Sequence, residues 1–415
     1  MSARAAVALL LLPTLLLGGA AAAQEQGAAP ARARPQLDAQ ALERRARGTF
    51  DLGLEALRGV PHGNAVVSPQ AIAQALALVY AAAGGETAAE LGRVLRVTGP
   101  RDDGLAALNA LDQALAGRGG AGRAGGFRLR LASAVWVQEG RALAPDYVAA
   151  LATHFGVEPR RVDFAGDLAG ARATINRWSR DATGPIDDLV RTGGGVTGGA
   201  GVVVTSAAAF DAAWRTAFPP GATAPGRFGV PGAGERPSRQ MNVSGPMATA
   251  VEPGLRALDM PFANDDLRLL VLVPEGEVGA LERSLTADHL ARITARLRAP
   301  LQQANVYLPR VAVSTRADLR DALQRANLRR LFAAGADLSG LGEGELRVGA
   351  LIHDARVDLN EAGVGGAAGV AAPVAMQQQV QDGPAAFLVD RPFLFIVRDR
   401  VTGAALFIGR VVDPR

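Results

Sequence analysis

The stretch Asp358-Leu-Asn-Glu-Ala-Gly-Val-Gly-Gly-Ala-Ala-Gly-Val-Ala-Ala-Pro-Val-Ala-Met-Gln-Gln378 decides how the rest of this chain is interpreted. From residue 363 to residue 372 every side chain is Gly, Ala or Val, which is too small for a conventional core and too apolar for a charged linker. Read with the two-residue period of a strand, one face carries Val364, Gly366, Ala368, Val370, Ala372, Val374 and Met376. The stretch is therefore predicted to be a loop that can also lie as a strand in the middle of a sheet.

Strand-like patterns flank this stretch, with alternation at 348–359 before it and an apolar run at 392–397 after it. Helical periodicity dominates the first half of the chain and strand-like runs dominate the second half, which predicts an α+β fold with mixed sheets. The main expected elements are helices at 70–83, 278–297 and 318–332 and a strand at 202–214 that is buried on both faces.

Composition excludes several classes of function. The 415 residues are 49% hydrophobic, so the chain can bury a large core. All 44 basic residues are arginine, and they are scattered among 40 acidic residues with a net charge of only +4, so no nucleic-acid partner is expected. With no cysteine there is no disulfide, no thiol nucleophile and no thiolate metal site.

The first residues have the pattern of an export signal. Arg4 is followed by an apolar run at 5–17 and by the small residues 21–23, so cleavage near Ala23 is expected. We therefore predict a signal peptide at 1–23, a flexible tail at 24–35 and a single domain at 36–415. No later apolar run is long enough to cross a membrane, so a secreted protein without a membrane partner is expected.

The sequence contains no assembled catalytic or metal site. HExxH, GxxxxGK[ST] and GxSxG are all absent, and the GxGxxG match at 193–198 neither follows a strand nor opens a helix. The four histidines are far apart in sequence, without the i, i+4 spacing of a metal pair. No catalytic residue, no metal and no cofactor is predicted, and the protein is not expected to be an enzyme.

Motifs along nearly the whole chain resemble the serpin family. In the C-terminal third they are Tyr307-Leu-Pro-Arg-Val, Phe332-Ala-Ala-Gly-Ala-Asp-Leu-Ser-Gly340, Ile352-His-Asp-Ala-Arg-Val-Asp-Leu-Asn-Glu-Ala-Gly363, Arg391-Pro-Phe-Leu-Phe-Ile-Val-Arg and Phe407-Ile-Gly-Arg-Val-Val-Asp-Pro414. Asn64-Ala-Val-Val-Ser-Pro69 and Ile175-Asn-Arg-Trp178 continue the likeness upstream. The motifs occur in order over about 37–414, so the chain is identified as a member of this family.

The resemblance implies a serpin fold with three sheets, about nine helices and an exposed reactive-centre loop between Glu361 and Pro392. It also implies a suicide-substrate mechanism, in which a protease attacks the loop and the cut loop inserts into the main sheet as an extra strand. The expected partner is a target protease, and the protein is expected to be a monomer. The alternative is a non-inhibitory serpin that acts as a binding or structural protein.

The residues themselves are compatible with insertion. Gly363 can supply the bend, and no charge occurs between Glu361 and Asp382 that would be buried at a cost of several kcal/mol. The predicted loop hinge consists of Glu361, Gly363, Val364, Gly366 and Ala368. Gly365 and Pro373 weaken a strand, since glycine is entropically costly and proline lacks a ladder donor. A merely flexible Ala/Gly loop is the simpler alternative.

The resemblance also assigns residues beneath the sheet. It places Ser68, Ser206 and His353 at the shutter, where the central strands part, and Trp214 at the breach, where the loop enters. Ala71 and Ser206 replace polar residues that are usual in the family, so His353 is expected to have fewer partners.

The scissile bond is predicted from the resemblance. Inhibitory members are cut sixteen residues after the hinge glutamate, which gives Gln377–Gln378 when counted from Glu361, with Met376 as the alternative. Counting back from Pro392 gives Gln381 instead. No arginine lies between 363 and 384, which argues against a trypsin-like target and favours a subtilisin-, elastase-, chymotrypsin- or papain-like protease.

Overall fold

Helices and strands of this chain combine into an α+β fold, as predicted. The computed structural model describes residues 32–118, 126–298, 300–343, 346–365 and 385–415. Within these ranges the α-helices are α1 (Ala39–Gly59), α2 (Pro69–Tyr80), α3 (Gly85–Val94), α4 (Arg101–Ala116), α5 (Pro145–Phe155), α6 (Leu168–Thr183), α7 (Val278–Ser284), α8 (Ala287–Arg296) and α9 (Arg320–Arg325). The strands are β1 (Ala65–Val67), β2 (Arg128–Gln138), β3 (Arg160–Val162), β4 (Val202–Ala213), β5 (Ala224–Val230), β6 (Gly234–Glu252), β7 (Leu255–Pro261), β8 (Leu267–Pro274), β9 (Gln302–Pro309), β10 (Val311–Asp318), β11 (Val348–Leu359), β12 (Gly363–Val364), β13 (Ala385–Leu388), β14 (Phe393–Asp399) and β15 (Ala405–Val411).

A six-stranded sheet lies at the centre of the fold, in the order β10-β11-β12-β4-β2-β3. β4 is antiparallel to β2 and parallel to β11. Nearly every residue of β4 is buried, as predicted for 202–214, because both faces of the sheet are covered. Val204 and Leu351 cluster with α2 on one face, while Ala207 and Ile352 cluster with Ile175 of α6 on the other.

A second, nine-stranded sheet has the order β1-β15-β14-β8-β7-β6-β9-β13, with β5 also paired to β6. The 19-residue strand β6 is long enough to belong to two groups of strands. Its first part pairs with β9 and β5, and its last residues pair with β7. Two of the three sheets that the resemblance implies are therefore continuous through β6.

Helix α2 runs beneath the central sheet. It begins at Pro69, whose missing N–H costs nothing in a first turn, and the hydroxyl of Ser68 accepts a hydrogen bond from the Ala71 N–H at 3.4 Å. All of its residues are buried, so the apolar pattern at 70–83 reflects burial on every side. The helix ends at Tyr80, three residues earlier than predicted.

Two predicted helices are shorter than the sequence pattern indicated. The helix expected at 278–297 is broken at Leu285, and Thr286 caps a new helix, α8, by accepting a hydrogen bond from the His289 N–H at 3.1 Å. The helix expected at 318–332 is limited to the six residues of α9, because Asn327 adopts a left-handed φ of 66° just after it.

The described part of the predicted tail is fixed to the protein. The Ala33 N–H donates to the Thr153 carbonyl oxygen at 2.8 Å, and the Asn109 side chain donates to the Ala33 carbonyl oxygen at 2.9 Å. Arg32 pairs with Asp112 at 2.6 Å. Residues 32 and 33 are thus bound to α4 and α5, so the expectation of a flexible tail was wrong for these two residues.

The predicted signal peptide, 1–23, and residues 24–31 lie outside the described residues. Among the helices that are described, none combines the length and the apolar character needed to cross a membrane.

Candidate functional site

The candidate site is the seam between the parallel strands β4 and β11. The two strands pair directly from Val202 opposite Val348 up to Ala209 opposite Arg356. Above that point they separate, and the two-residue strand β12 lies between them, antiparallel to both. The upper end of the seam is therefore already open and holds the first residues of the small-residue stretch.

The register of β12 is fixed on both sides. Gly363 lies opposite Ala213, and Val364 lies opposite Ala212 on β4. Val364 also lies opposite Leu359 on β11, and its side chain is fully buried. The predicted inward orientation of Val364 agrees with this burial.

Asn360 organises the turn that leads from β11 into β12. Its side-chain oxygen accepts hydrogen bonds from the Ala362 N–H at 3.0 Å and the Gly363 N–H at 3.2 Å. Its side-chain amide donates to the Gly365 carbonyl oxygen at 2.8 Å. One asparagine thus stabilises both the turn and the end of β12, a common role of Asn in turns.

Trp214 binds the outer side of this turn. Its indole Nε1–H donates to the Asn360 carbonyl oxygen at 2.8 Å, and its backbone N–H donates to the Ala362 carbonyl oxygen at 3.0 Å. Its ring stacks on Phe262 with a centroid separation of 4.8 Å and an interplanar angle of 7°. The residue predicted for the entry point of the loop therefore contacts the chain where it enters the seam.

Glu361 points away from the seam. Its carboxylate accepts a hydrogen bond from the Thr223 hydroxyl at 2.9 Å and lies 3.9 Å from the Arg310 guanidinium. Its carbonyl oxygen accepts a hydrogen bond from the Phe218 N–H at 3.0 Å. These contacts fix the turn against the neighbouring sheet and keep the charge out of the path of the loop.

Two glycines control the path of the chain here. A Cβ on Gly363 would collide with the Ala212 carbonyl oxygen, so this position requires glycine for close approach. Gly365, the residue after β12, has a φ of 74°, a left-handed value that favours glycine. Sequence reasoning assigned the bend to Gly363, whereas the structure places Gly363 inside β12 and the left-handed residue two positions later.

The rest of the predicted loop site is not described by the structure. The hinge residues Gly366 and Ala368 and the predicted cleavage positions Met376, Gln377 and Gln378 lie outside the described residues.

The middle of the seam is bridged by His353. Its Nδ1 lies 2.9 Å from the Ser206 hydroxyl oxygen on β4, and its Nε2 accepts a hydrogen bond from the Ser68 N–H at 3.1 Å. Since Nε2 is an acceptor, the ring proton belongs on Nδ1 and is donated to Ser206. The ring is fully buried, and this burial lowers its pKa from 6.5 to about 3, so it is neutral at pH 7.

The expectation that His353 would have fewer partners was wrong. Both ring nitrogens form hydrogen bonds. The partner of Nε2 is the backbone N–H of Ser68, whereas the resemblance had suggested only side-chain partners. The structure brings Ser68, Ser206 and His353 together, but the Ser68 hydroxyl caps α2. Ser133, which was not singled out, donates its hydroxyl to the Ala71 carbonyl oxygen at 3.2 Å and ties β2 to the same helix.

Sequence reasoning also missed Asn360 and Thr223. The run Asn-Glu-Ala-Gly has the residue preferences of a turn, with Asn first and Gly fourth, so Asn360 could have been found from the pattern alone. Thr223 carries no such signal, because its contact with Glu361 joins residues that are far apart in sequence.

A central sheet whose parallel middle strands admit a short antiparallel strand from a small-residue loop defines a protein of the serpin fold. The chain belongs to the serpin family: the family model described as Serpin (serine protease inhibitor) matches residues 45–414.

Similar proteins agree with this assignment. An uncharacterized serpin-like protein of Thermococcus kodakarensis is 32% identical over 371 residues, covering 88% of this chain and 84% of that protein. The leukocyte elastase inhibitor of Bos taurus is 29% identical over 378 residues, covering 89% and 98%. Among solved structures, the native state of the thermophilic serpin tengpin superposes with a TM-score of 0.80 at 20% identity, covering 92% of this chain and 97% of that one. The family thus includes relatives named as protease inhibitors.

Proposed function

We propose that this protein is an exported suicide-substrate inhibitor of serine proteases, and that it traps the acyl-enzyme by inserting its cleaved loop between β4 and β11. The observation that carries this proposal is β12, since Gly363 and Val364 already occupy the upper end of the seam in strand register. Insertion would continue a pairing that has begun.

The register of β12 sets how much loop the seam can accept. Each further loop residue would pair with the β4 residue one position earlier, so residue 374 would lie opposite Val202 at the lower end of β4. A cut after Gln377 would leave enough chain to fill the whole seam with three residues remaining. The predicted bond Gln377–Gln378, or the alternative at Met376, is compatible with complete insertion.

Side-chain orientation also favours insertion. Val364 shares its buried face with Leu359, so alternate loop residues would face the same apolar cluster. These are Gly366, Ala368, Val370 and Ala372, all small enough to pass under the sheet. The same register would bring Val370 opposite His353.

Pro373 would cost one hydrogen bond. The Gly365 N–H donates to the Asp358 carbonyl oxygen at 2.8 Å, so odd-numbered loop residues direct their backbone groups toward β11. Pro373 would then lie opposite Ala350, near the lower end of β11. Because proline has no N–H, the carbonyl oxygen of Ala350 would be left without a donor in the ladder. One buried carbonyl oxygen without a donor costs about 1–3 kcal/mol, and at the last residues to insert this does not prevent the rest of the strand from forming.

The target class follows from the loop sequence. Gln377 or Met376 suits a subtilisin-, elastase- or chymotrypsin-like protease, or a papain-like cysteine protease, and not a trypsin-like one. Export after cleavage near Ala23 would place the inhibitor with extracellular or periplasmic proteases, as a monomer.

A protease panel tests the proposal. The mature protein is incubated with one protease of each class, and the products are separated on denaturing gels and identified by mass spectrometry. We expect an SDS-stable complex with at least one protease and a cut at 376, 377 or 378. If every protease cleaves the protein without forming a complex, the proposed inhibitory function is refuted, and the alternative of a non-inhibitory serpin is favoured.

A further inference from the structure

A small cavity lies at the lower end of the seam, far from β12. Its volume is about 230 Å³, and its wall includes Thr197, Gly199 and Ala200 before β4 and Arg347 and Val348 at the start of β11. Arg320, the first residue of α9, completes the wall. The cavity therefore lies at the end of both strands that the loop would separate.

The two charged residues in the cavity wall are both arginines, Arg320 and Arg347. The Arg320 Nε–H is buried and has no hydrogen-bond partner. Oδ2 of Asp318 lies 3.9 Å from this Nε, and Oδ1 of the same carboxylate accepts hydrogen bonds from the backbone N–H groups of Arg320 and Leu351. Arg347 forms no ion pair with any residue that the structure describes. Two arginines thus line the cavity, and the one carboxylate near them is held through Oδ1 by backbone N–H groups, so the cavity can receive one more anionic group.

The register of β12 directs the end of the cleaved loop to this cavity. Counting from Val364 opposite Leu359, residue 376 would lie opposite Arg347 and residue 377 opposite Leu346, the next residue along the chain. Counting along β4, residue 377 would reach the level of Gly199. The count along β4 ends at a residue of the cavity wall, and the count along β11 ends beside Arg347, which also belongs to that wall.

We propose that this cavity is a receptor for the α-carboxylate of the cleaved and inserted loop, bound by Arg320 and Arg347. The proposal rests on the proposed function, since it needs the loop to insert. Hydrolysis of the 377–378 peptide bond consumes one water and leaves a carboxylate on Gln377 and an amino group on Gln378. A carboxylate is the ligand that paired guanidinium groups bind best, while the neutral ester of an acyl-enzyme offers them no charge.

Two synthetic peptides test the receptor on the intact mature protein. Both have the sequence of residues 365–377, one with a free carboxylate and one with a C-terminal amide, and one is isotope-labelled. They are mixed in equal amounts with the protein, and the incorporated ratio is measured by mass spectrometry after incubation. We expect about tenfold preference for the carboxylate, equivalent to about 1.4 kcal/mol.

Two variants test whether the arginines of the cavity cause the preference for the peptide with a free carboxylate. In the double variant Arg320→Gln/Arg347→Gln the ratio should fall to about one, while Arg356→Gln, an exposed arginine higher on β11, should leave it unchanged. The cavity is not the receptor if the wild-type ratio is one, or if the preference persists in the double variant. If neither peptide enters the protein, both the insertion mechanism and the carboxylate receptor are overturned. If SDS-stable protease complexes form but the peptide ratio is one, only the carboxylate receptor is overturned.

Discussion

Acidification should destabilise the protein through His353. The imidazole is fully buried, donates to Ser206 and accepts from the Ser68 N–H, so it has no place for a second proton. Its pKa is lowered by burial from 6.5 to about 3. In the unfolded chain the same imidazole is free to bind a proton at its ordinary pKa. Between these two values the unfolded state binds more protons than the folded state, and stability falls as the pH falls.

The size of the effect follows from the two pKa values. The contribution of His353 is complete above pH 6.5 and decreases by about 1.4 kcal/mol for each pH unit below that value. The loss should reach about 1.4 kcal/mol at pH 5.5 and about 2.7 kcal/mol at pH 4.5. It should level off only near pH 3. Against a typical total of about 5–15 kcal/mol, this single ring would be a major source of acid sensitivity.

The assay is urea unfolding at pH 7.0, 5.5 and 4.5, followed by tryptophan fluorescence, on the wild type and on His353→Gln. The variant should be less stable at pH 7.0, because it loses the contacts of His353, but it lacks the titrating ring. Titratable groups distant from residue 353 are the same in both proteins, and their contributions cancel in the difference. The wild type should lose about 2.7 kcal/mol more than the variant between pH 7.0 and 4.5. Parallel losses in the two proteins would refute the assignment of the effect to His353.

Two further substitutions test the upper end of the seam. Val364→Arg places an unpaired charge at a fully buried position, at a cost of several kcal/mol. It should reduce the amount of SDS-stable complex at least about tenfold while cleavage continues, whereas the control Val364→Ala should keep most of the complex. Unchanged inhibition by the arginine variant would contradict insertion. Trp214→Phe keeps an aromatic ring against Phe262 but removes the donor to the Asn360 carbonyl oxygen, so urea unfolding should show a loss of about 1 kcal/mol. An unaltered midpoint would mean that this hydrogen bond does not stabilise the entry turn.

Much of the fold could be predicted because burial leaves a repeating pattern in the sequence. The continuous apolar run of β4 indicated a strand covered on both faces, and the structure confirms it. The fold class was confirmed as well. The helix expected at 278–297 failed for a local reason, since a threonine cap can restart a helix without disturbing its apolar periodicity.

The site was less predictable, because its contacts join distant segments. The Ser68 N–H that completes the environment of His353 is a backbone group, and no pattern of side chains reveals it. The entry of Gly363 and Val364 into the seam depends on Asn360 and Trp214, which lie far apart in sequence. The close contact of Gly363 with β4 likewise follows from the fold and not from the local sequence.

The three parts of the seam differ in how strongly they resist opening. At the top, β12 has already separated β4 from β11, and at the foot a cavity adjoins the strand ends. Between them, eight register pairs from Val202–Val348 to Ala209–Arg356 must part before a third strand can enter. Inserted residues would then bond on both sides, so one ladder is exchanged for two. The backbone thus gains by completed insertion, and one side-chain contact between described residues that opposes it is the hydrogen bond between His353 and Ser206. We therefore expect this contact to slow the opening of the seam, because it must break together with the backbone pairs before a third strand can enter.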